Sequence, residues 1–553
     1  MTQRFILLIF LIFTFSCKEK IEPEKELPVL WQPYNDSLEL VANADHEKER
    51  MRYKFIQSKV TDKNAVFLPL YDEVSKFSEE KYKTMKPLVL EQDIPTIQNH
   101  INDGKFSYED LALFFLHRIY TYELPNETTL NTVIALNPNV LEEARKLDAN
   151  AVGKHPIYGM PIMLKDNIGV ANMKTTAGAI ALMHNQTDDA FIVERLKKNG
   201  ALILGKVNLS EWANFLCECP NGQSAVGGQT LNPYGRRVFD TGGSSAGSGT
   251  SVAANYAVAA VGTETSGSIL SPSGQNSVVG LKPTIGLLSR TGIVPISSTL
   301  DTPGPMTKNV GDNAIVMSAM LGHDDRDSKS VEEEFPGILS AWMHPTPFKE
   351  MRLGALTTLM ENDSLYARTI GELANQGAEI VEITPKNIEM DGFLSILNID
   401  MKNDLPKYIE AQVKNKDCVL VRNVQDVAAF NLRDSLIRIP YGQARFDGIL
   451  SDSTTVEELD AIKQRLKLEG RTFFDTPMDE HNLDALLSIN NYHAGYAAVA
   501  EYPALTIPMG YKDTGEPVNL TFIGKPFTEA QLLRLGATFE KAFRARRIPD
   551  GYR

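Results

Sequence analysis

The chain has 553 residues, 43% hydrophobic and 23% charged, with a formal net charge of −14. That composition belongs to a globular chain large enough to bury a sizeable core without disulfide or metal staples. The acidic total argues against nucleic acid as main partner, because phosphate binding needs clustered Lys and Arg, and nine scattered His with no HExxH or paired CxxC give no metal-enzyme pattern.

Arg4 is followed by Phe5–Phe15, an apolar run broken only by Thr14. As a helix this run would be about 17 Å long, short of the ~30 Å hydrocarbon core. It suits a signal-peptide h-region better than a membrane span. Ser16-Cys17 and the charged KEKIEPEKE follow. The pattern is similar to a bacterial lipoprotein signal, in which cleavage before Cys17 leaves that residue lipidated, although Thr14 stands where Leu is preferred. An ordinary secretory signal with a chance Cys is the alternative. The expectation is therefore an exported lipoprotein of the bacterial cell envelope, periplasm or outer membrane, reaching the membrane through its lipid. Residues 1–16 are the signal, 17–40 a tether, 41–96 a helical extension and 97–553 the main domain. Cys217, Cys219 and Cys418 remain, an odd count that leaves at least one free thiol. Cys217 and Cys219 are too closely spaced to suggest a disulfide, and each reads as a buried or idle thiol.

In chain order, residues 18–40 are rich in Glu, Lys and Pro and read as the tether. Residues 41–90 read as helical pieces of mixed charge. Tyr108–Tyr122 carries Leu111, Phe114, Phe115 and Ile119 on one helical face. Ile157–Leu164 predicts a buried strand, Asp189–Asn199 a helix stopped by Gly200, and Ala201–Leu204 another strand. This alternation indicates α/β. Residues 222–311 are dominated by Gly, Ser and Thr, with mostly small apolar residues. Residues 312–480 return to helical patterns, with a charged, mobile stretch expected at 322–335. Leu483–Ile489, Ala504–Pro508 and Val518–Phe522 predict further strands, and Pro526–Ala545 a C-terminal helix.

Residues 240–269, DTGGSSAGSGTSVAANYAVAAVGTETSGSI, can be read three ways. A phosphate cradle lacks its Gly-Lys-Ser/Thr ending, and Val252 occupies the third-Gly position of the dinucleotide fingerprint. A nucleophile elbow fits Gly243-Ser244-Ser245-Ala246-Gly247, with Ser245 attacking. That elbow must follow a buried strand, whereas YGRRVFDTG is polar and turn-like. It also needs a partner His, and none of His323, His344, His481 and His493 has a distinctive setting. The third reading is a serine activated by a buried, uncharged Lys whose pKa desolvation has lowered. Lys165, at the end of Pro161-Ile-Met-Leu164, is the candidate; an exposed Lys at a strand end is the bland alternative.

The company of Lys165 decides between these. Gly159-Met-Pro-Ile-Met-Leu-Lys165-Asp-Asn-Ile, Gly205-Lys-Val-Asn-Leu-Ser-Glu-Trp-Ala-Asn214 and Gly227-Gly-Gln-Thr-x-Asn-Pro-Tyr234 occur in order. Gly242-Gly-Ser-Ser-Ala-Gly247, Gly262-Thr-Glu-Thr-Ser-Gly-Ser268-Ile, Gly280-Leu-Lys-Pro-Thr284 and Asp301-Thr-x-Gly-Pro305 follow. The set resembles the amidase signature family from about Ile97 to Pro549, and within it the bacterial peptide-amidase branch. The resemblance implies an α/β fold with a central mixed β-sheet flanked by α-helices in a single large domain. It also implies a Ser-cisSer-Lys triad: Ser268 the nucleophile, Ser244 the bridge after a cis Gly243–Ser244 peptide, and Lys165 the base. The backbone N–H groups of Thr265, Ser266, Gly267 and Ser268 would form the oxyanion hole, and Ser245 would have only a role in the turn. No metal, nucleotide or organic cofactor is implied. Two features depart from the branch: Ser266 stands where Asp is usual, and residues 216–226 replace a Ser-rich stretch that borders the substrate entrance.

The combined expectation is an exported, lipid-anchored serine hydrolase that cleaves C–N amide bonds through an acyl-enzyme on Ser268. Peptide C-terminal amides are the first substrate class, fatty-acid amides the second and other small amides the third. A non-catalytic lipoprotein binding module is the alternative from another class. The family's glutamine-amidotransferase role is disfavoured, because it acts on tRNA in the cytoplasm and this chain carries an export pattern.

Overall fold

The computed structural model describes residues 27–150, 155–384 and 386–553; the expected signal segment and Cys17 lie outside the described residues. Short aliphatic and β-branched runs bounded by Gly, Pro and Asn become strands. Among the described residues these are β1 (Val133–Leu136), β2 (Pro161–Lys165), β3 (Leu202–Val207), β4 (Gln223–Ser224), β5 (Gly228–Gln229), β6 (Ala259–Glu264), β7 (Val279–Lys282), β8 (Thr302–Thr307), β9 (Arg352–Leu356), β10 (Glu379–Ile383), β11 (Ala485–Ile489), β12 (Ala504–Tyr511) and β13 (Pro517–Ile523). Eleven form one mixed sheet in the order β1-β3-β2-β6-β8-β7-β12-β13-β11-β9-β10, while β4 and β5 pair separately. The runs β3-β2-β6 and β11-β9-β10 are parallel. The strands between them pair antiparallel. Every residue of β2, β3 and β6 is buried, as expected of parallel strands covered on both faces. This is the expected α/β architecture.

Several strands extend or shift relative to the sequence expectation. The strand read from Ile157 starts at Pro161, because residues 156–159 form a turn. Strand β8 was hidden by Pro303 and Pro305, residues that cannot donate to a ladder. Both prolines pair with β6 alone, since β7 meets β8 only at Met306 and Thr307.

Two expectations about the periphery are corrected. The described part of the expected tether, residues 27–40, is docked on the body. Trp31 is buried, Leu30 and Trp31 donate their N–H groups to Asn64 Oδ1 at 2.8 and 3.0 Å, and Asp36 Oδ2 accepts from Ile56 N at 3.2 Å. A buried indole among so many charges outweighs the compositional signal. The charged stretch 322–335 is likewise held: Asp324 accepts from Ser289 Oγ at 2.6 Å, Asp327 from Arg290 Nε at 2.8 Å, and Val331 N donates to Gly286 O at 3.1 Å. Asp324 and Asp327 cap neighbouring loops, while Asp325, Glu332, Glu333 and Glu334 face water.

Residues 41–96 carry the helices Lys63–Val74, Glu79–Val89 and Ile94–Asn102. Their Phe67, Leu70, Met85, Val89 and Ile97 share one core with Phe114 and Ile119 of the helix Tyr108–Glu123 and with the sheet. Arg118 of that last helix is fully buried. It donates to Asn255 O (2.9 Å), Ala254 O (3.0 Å), Tyr552 O (2.6 Å) and the Tyr82 hydroxyl (2.6 Å), joining the N-terminal helices to the C-terminus. Arg118→Met keeps an apolar stem but strands these acceptors. It should lower stability by about 2–4 kcal/mol, measured as a reduced denaturant midpoint.

Candidate active site

Lys165 ends β2 and Glu264 ends β6, and the two strands lie side by side in parallel. Their carboxyl ends therefore open on one edge of the sheet, the usual place for a site in parallel α/β arrangements. The register Ile162↔Ala259, Met163↔Ala260, Leu164↔Val261 brings Lys165 level with Gly262 and Thr263. Lys165 is fully buried. Its Nζ lies 2.7 Å from Ser244 Oγ, 2.9 Å from Thr263 Oγ1 and 3.1 Å from Thr263 O. Burial brings the amine down from its ordinary 10.5 to about 7, while the charges of Asp301 and Glu264 pull it back upward.

Ser244 reaches this amine from the loop before the helix Ala246–Ala253. The Gly243–Ser244 peptide is cis. Ser244 O accepts from Ser210 N at 3.0 Å, and Ser245 N donates to Ser268 O at 3.1 Å, so the backbone ties the two serine loops together. A side chain at Gly242 would need φ +64 and would meet Pro272 backbone at 2.7 Å, which only Gly avoids. Ser245 is fully buried. Its hydroxyl donates to Thr263 O at 3.0 Å and accepts from Thr263 N at 3.2 Å, a brace between turn and strand. The helix behind it is entirely buried despite its Ser and Thr content. Its hydroxyls are satisfied internally: Ser248 donates to Val261 O at 3.1 Å, Ser251 to Ser248 O at 3.0 Å, and Thr250 bonds Thr132 at 2.8 Å.

The loop from Thr265 to Ser268 is held at both ends by carboxylates. Glu264 Oε2 accepts from Ile269 N at 2.6 Å and Leu270 N at 3.0 Å, and the Gly267 N–H also lies toward this carboxylate. Thr265 Oγ1 donates to Asp301 Oδ1 at 2.6 Å. Gly267 has φ +87, so the loop turns back there and sets Ser268 beside Ser245. Ser268 and Thr265 are 8% and 7% exposed, and Ser266 is more open. Next to the loop lies a cavity of about 630 Å³ whose lining includes Asn167, Ala213, Thr263, Thr265, Ile296 and Tyr408.

Lys165 and Ser244 thus meet at this sheet edge, and the expected oxyanion loop with Ser268 lies beside them through the Ser245–Ser268 backbone bond. Thr263 and Asp301 carry much of the local geometry, yet no role was read for either from sequence. Both lay inside quoted motifs, and the pairing of β2 with β6 was the missing signal. The expectation of separate thiols at Cys217 and Cys219 is overturned: they form a disulfide, with Cα atoms 5.1 Å apart. The segment turns back at Glu218, which pairs with Arg445 at 3.1 Å, and the Cα separation falls inside the range a disulfide accepts. Cys418 is free and exposed.

Comparison with known proteins identifies the family. A family model described as Amidase matches residues 110–533. A probable amidase of Arabidopsis thaliana is 34% identical over 482 residues, 83% of this chain and 92% of its own. The crystal structure of an amidase family protein from Bacillus anthracis is similar with a TM-score of 0.84 at 36% identity, covering 90% of this chain and 99% of that one. Native peptide amidase from Stenotrophomonas maltophilia is similar with a TM-score of 0.77 at 35% identity, covering 83% and 98%. A match of that extent, on a fold with the same mixed sheet, makes this chain a member of the amidase signature family and a hydrolase of C–N amide bonds.

Proposed function

We propose that the chain is an exported, lipid-anchored serine amidase that acts through Ser268, Ser244 and Lys165 and takes peptide C-terminal amides as its substrates. The observation that carries this reading is the 2.7 Å approach of Lys165 Nζ to Ser244 Oγ inside a fully buried setting. A neutral amine has two N–H donors and one lone pair. Donation to Thr263 O and Thr263 Oγ1 leaves the lone pair for the Ser244 hydroxyl. Ser244 then gives its proton to Lys165 as it takes the proton of Ser268, and Ser268 Oγ attacks the carbonyl carbon. The N–H groups of the 265–268 loop, apart from that of Gly267, which is directed at Glu264, receive the oxyanion. On collapse the relay runs backward: Lys165 returns its proton to Ser244, Ser244 protonates the leaving nitrogen, and the C–N bond breaks. Water attacks the resulting ester by the same route and releases the carboxylic acid. Similarity to peptide amidase and the cavity beside the loop support peptide amides as the substrate class.

Export and anchoring rest on Phe5–Phe15 and the Ser16-Cys17 pair. Among the described residues no helix is long and apolar enough to cross a membrane. A lipidated Cys carries several acyl chains, enough for stable attachment at about 0.8 kcal/mol per buried CH₂.

Ser268→Ala should abolish turnover and acyl-enzyme formation, with thermal stability nearly unchanged. Ser245→Ala should still trap the acyl group on Ser268 by mass spectrometry; an acyl group found on Ser245 would refute the assignment.

The pH dependence has a fixed sign. Lys165 works only when neutral, and its pKa lies near 7. Consequently kcat/KM should rise with pH through that value, level off above it and fall tenfold per unit well below it. A profile flat from mildly acidic to alkaline pH, with chemistry limiting, contradicts the role of Lys165.

Cys17→Ser should prevent lipidation and release the protein from membranes, or leave it uncleaved, with catalysis intact. Metabolic labelling with a clickable fatty acid reads this directly. A mature protein beginning elsewhere and carrying no lipid overturns the anchor alone.

A further inference from the structure

Asp301 lies immediately before β8 and outside the Ser-Ser-Lys set. One carboxylate oxygen accepts the Thr265 hydroxyl at 2.6 Å. The other accepts the N–H groups of Ile296 at 2.8 Å and Ser297 at 2.9 Å. Thr265 begins the loop that receives the oxyanion, and Ile296 and Ser297 are part of the cavity wall. One side chain therefore fastens together the two surfaces between which a substrate would sit. The wall is secured in turn on its far side: Ser297 Oγ donates to Asp400 Oδ2 at 2.5 Å and Ser298 N to Asp404 Oδ2 at 2.8 Å, both on the helix Phe393–Gln412.

We infer that Asp301 is a positioning residue for amide hydrolysis, holding Thr265 and its loop against the 296–297 wall while its charge acts on Lys165. This rests on the triad reading given above. The Ile296 and Ser297 N–H groups need an acceptor, and the Thr265 hydroxyl can donate or accept, so a carboxylate satisfies all three contacts at once. Asp301→Asn can keep them only if its amide oxygen faces the two N–H groups and the Thr265 hydroxyl reverses to accept from Nδ2. It therefore removes the charge while leaving the side-chain shape and the link, whereas Thr265→Val breaks the link and leaves the charge.

The charge has a second consequence. Arg290 faces Asp301 from the cavity side and is itself paired with Asp327 through Nε at 2.8 Å. Asp404 stands on the neighbouring helix, and Lys165 and Glu264 lie on the sheet side. Removal from water raises the Asp301 carboxyl to about 6, against the pull of its three donors and Arg290. When ionised, it raises the pKa of Lys165. Neutralising position 301 should thus let the Lys165 pKa fall, so that the base is free at lower pH. A residue that only supported the fold would not move the acidic limb in that direction.

The test is kcat and KM against pH for the full chain acting on an N-acyl dipeptide carboxamide, with wild type, Asp301→Asn, Thr265→Val and Thr265→Ser. The expected results for Asp301→Asn, which loses the charge and keeps the link, are a modestly lower kcat, little change in KM, and an acidic limb shifted to lower pH. Thr265→Val, which breaks the link, should lower kcat about a hundredfold, on the scale of a lost oxyanion donor, with the limb near its wild-type position, and Thr265→Ser, which keeps the hydroxyl, should recover most of it. An unmoved or upward-shifted limb in Asp301→Asn, a rise in KM alone, or a Thr265→Ser as impaired as Thr265→Val overturns the inference. If Asp301→Asn fails to fold, the two Thr265 variants decide by their kcat difference. A wild type without an acidic limb, or acylated away from Ser268, refutes the triad itself; a wild type with both, whose limb ignores Asp301→Asn, refutes only this role.

Discussion

The structure is organised around one constraint: an amine must be kept out of water beside a hydroxyl without a carboxylate to hold its proton. Lys206 shows the ordinary solution for a buried lysine. It is as deeply placed as Lys165, but its charge is matched by Asp166 at 3.1 Å, with both side chains fully covered. Lys165 instead meets two hydroxyls and a carbonyl. These groups orient a neutral amine and repay little of the desolvation of an ammonium, so its proton affinity falls toward neutrality. Asp301 and Glu264 act at longer range, and their charge keeps the pKa from falling further. An amine that changes charge near neutral pH results from this balance between burial and two distant carboxylates.

That environment can exist only if the surrounding chain is both tightly packed and internally hydrogen-bonded. Small residues allow the packing. The helix Ala246–Ala253 sits against β2, β3 and β6 because a Cβ at Gly247 would meet Asn208 O at 2.4 Å. Its Ser and Thr hydroxyls return to nearby carbonyls, so a polar sequence is buried without orphaned groups. Ser245 makes the same use of its hydroxyl, bracing Thr263 from behind while Thr263 meets Lys165 in front. Composition dominated by Gly, Ser and Thr is therefore what a dense, rigid catalytic wall looks like here.

How much of this was legible in sequence depends on what kind of interaction carried the signal. Local periodicity served well where one face decides. The helix expected at Tyr108–Tyr122 is Tyr108–Glu123, and the strand expected at Val518–Phe522 is Pro517–Ile523. The ordered motifs singled out Lys165 and Ser244, which the structure brings to 2.7 Å, and Ser268, whose carbonyl accepts from Ser245 N. Strands β6, β7 and β8 were not legible, because Gly and Pro erase the alternation on which strand reading relies, and only the half-paired register explains how two prolines fit within the sheet. The roles of Thr263 and Asp301 were hidden for a related reason. Each acts across a strand pairing or between loops far apart in sequence. The segments 18–40 and 322–335 read as tether and mobile stretch because a charged composition suggests solvent, while a few specific hydrogen bonds, at Trp31 and Asp324, decide where their described parts lie.

The same division separates chemistry from selection. The residues proposed to move protons sit at strand ends and on loops braced by those strands, where the register leaves little freedom. The surfaces a substrate would touch come partly from these strand ends, through Asn167, Thr263 and Thr265, and for the rest from elsewhere: the segment 290–303, the helix Phe393–Gln412 and the turn at Ala213. The helix belongs to a layer with its own apolar cluster, containing Ile396, Met401, Leu405 and Phe446, together with Trp212, Leu216 and the disulfide pair Cys217 and Cys219. In segment 216–226, where the sequence departs from the peptide-amidase pattern, Leu216, Cys217 and Cys219 pack with the helix that walls the cavity, while Asn221 and Gly222 lie against Gly243 and Ser210 beside Ser244. Substitutions accumulated in that layer can reshape the cavity while leaving Lys165, Thr263 and Ser244 in place. The contacts through Ser297, Ser298 and Asp301 are where that freedom meets the fixed machinery. Selection and rate are joined at this narrow seam, so a change in the wall affects catalysis to the extent that it disturbs those few hydrogen bonds.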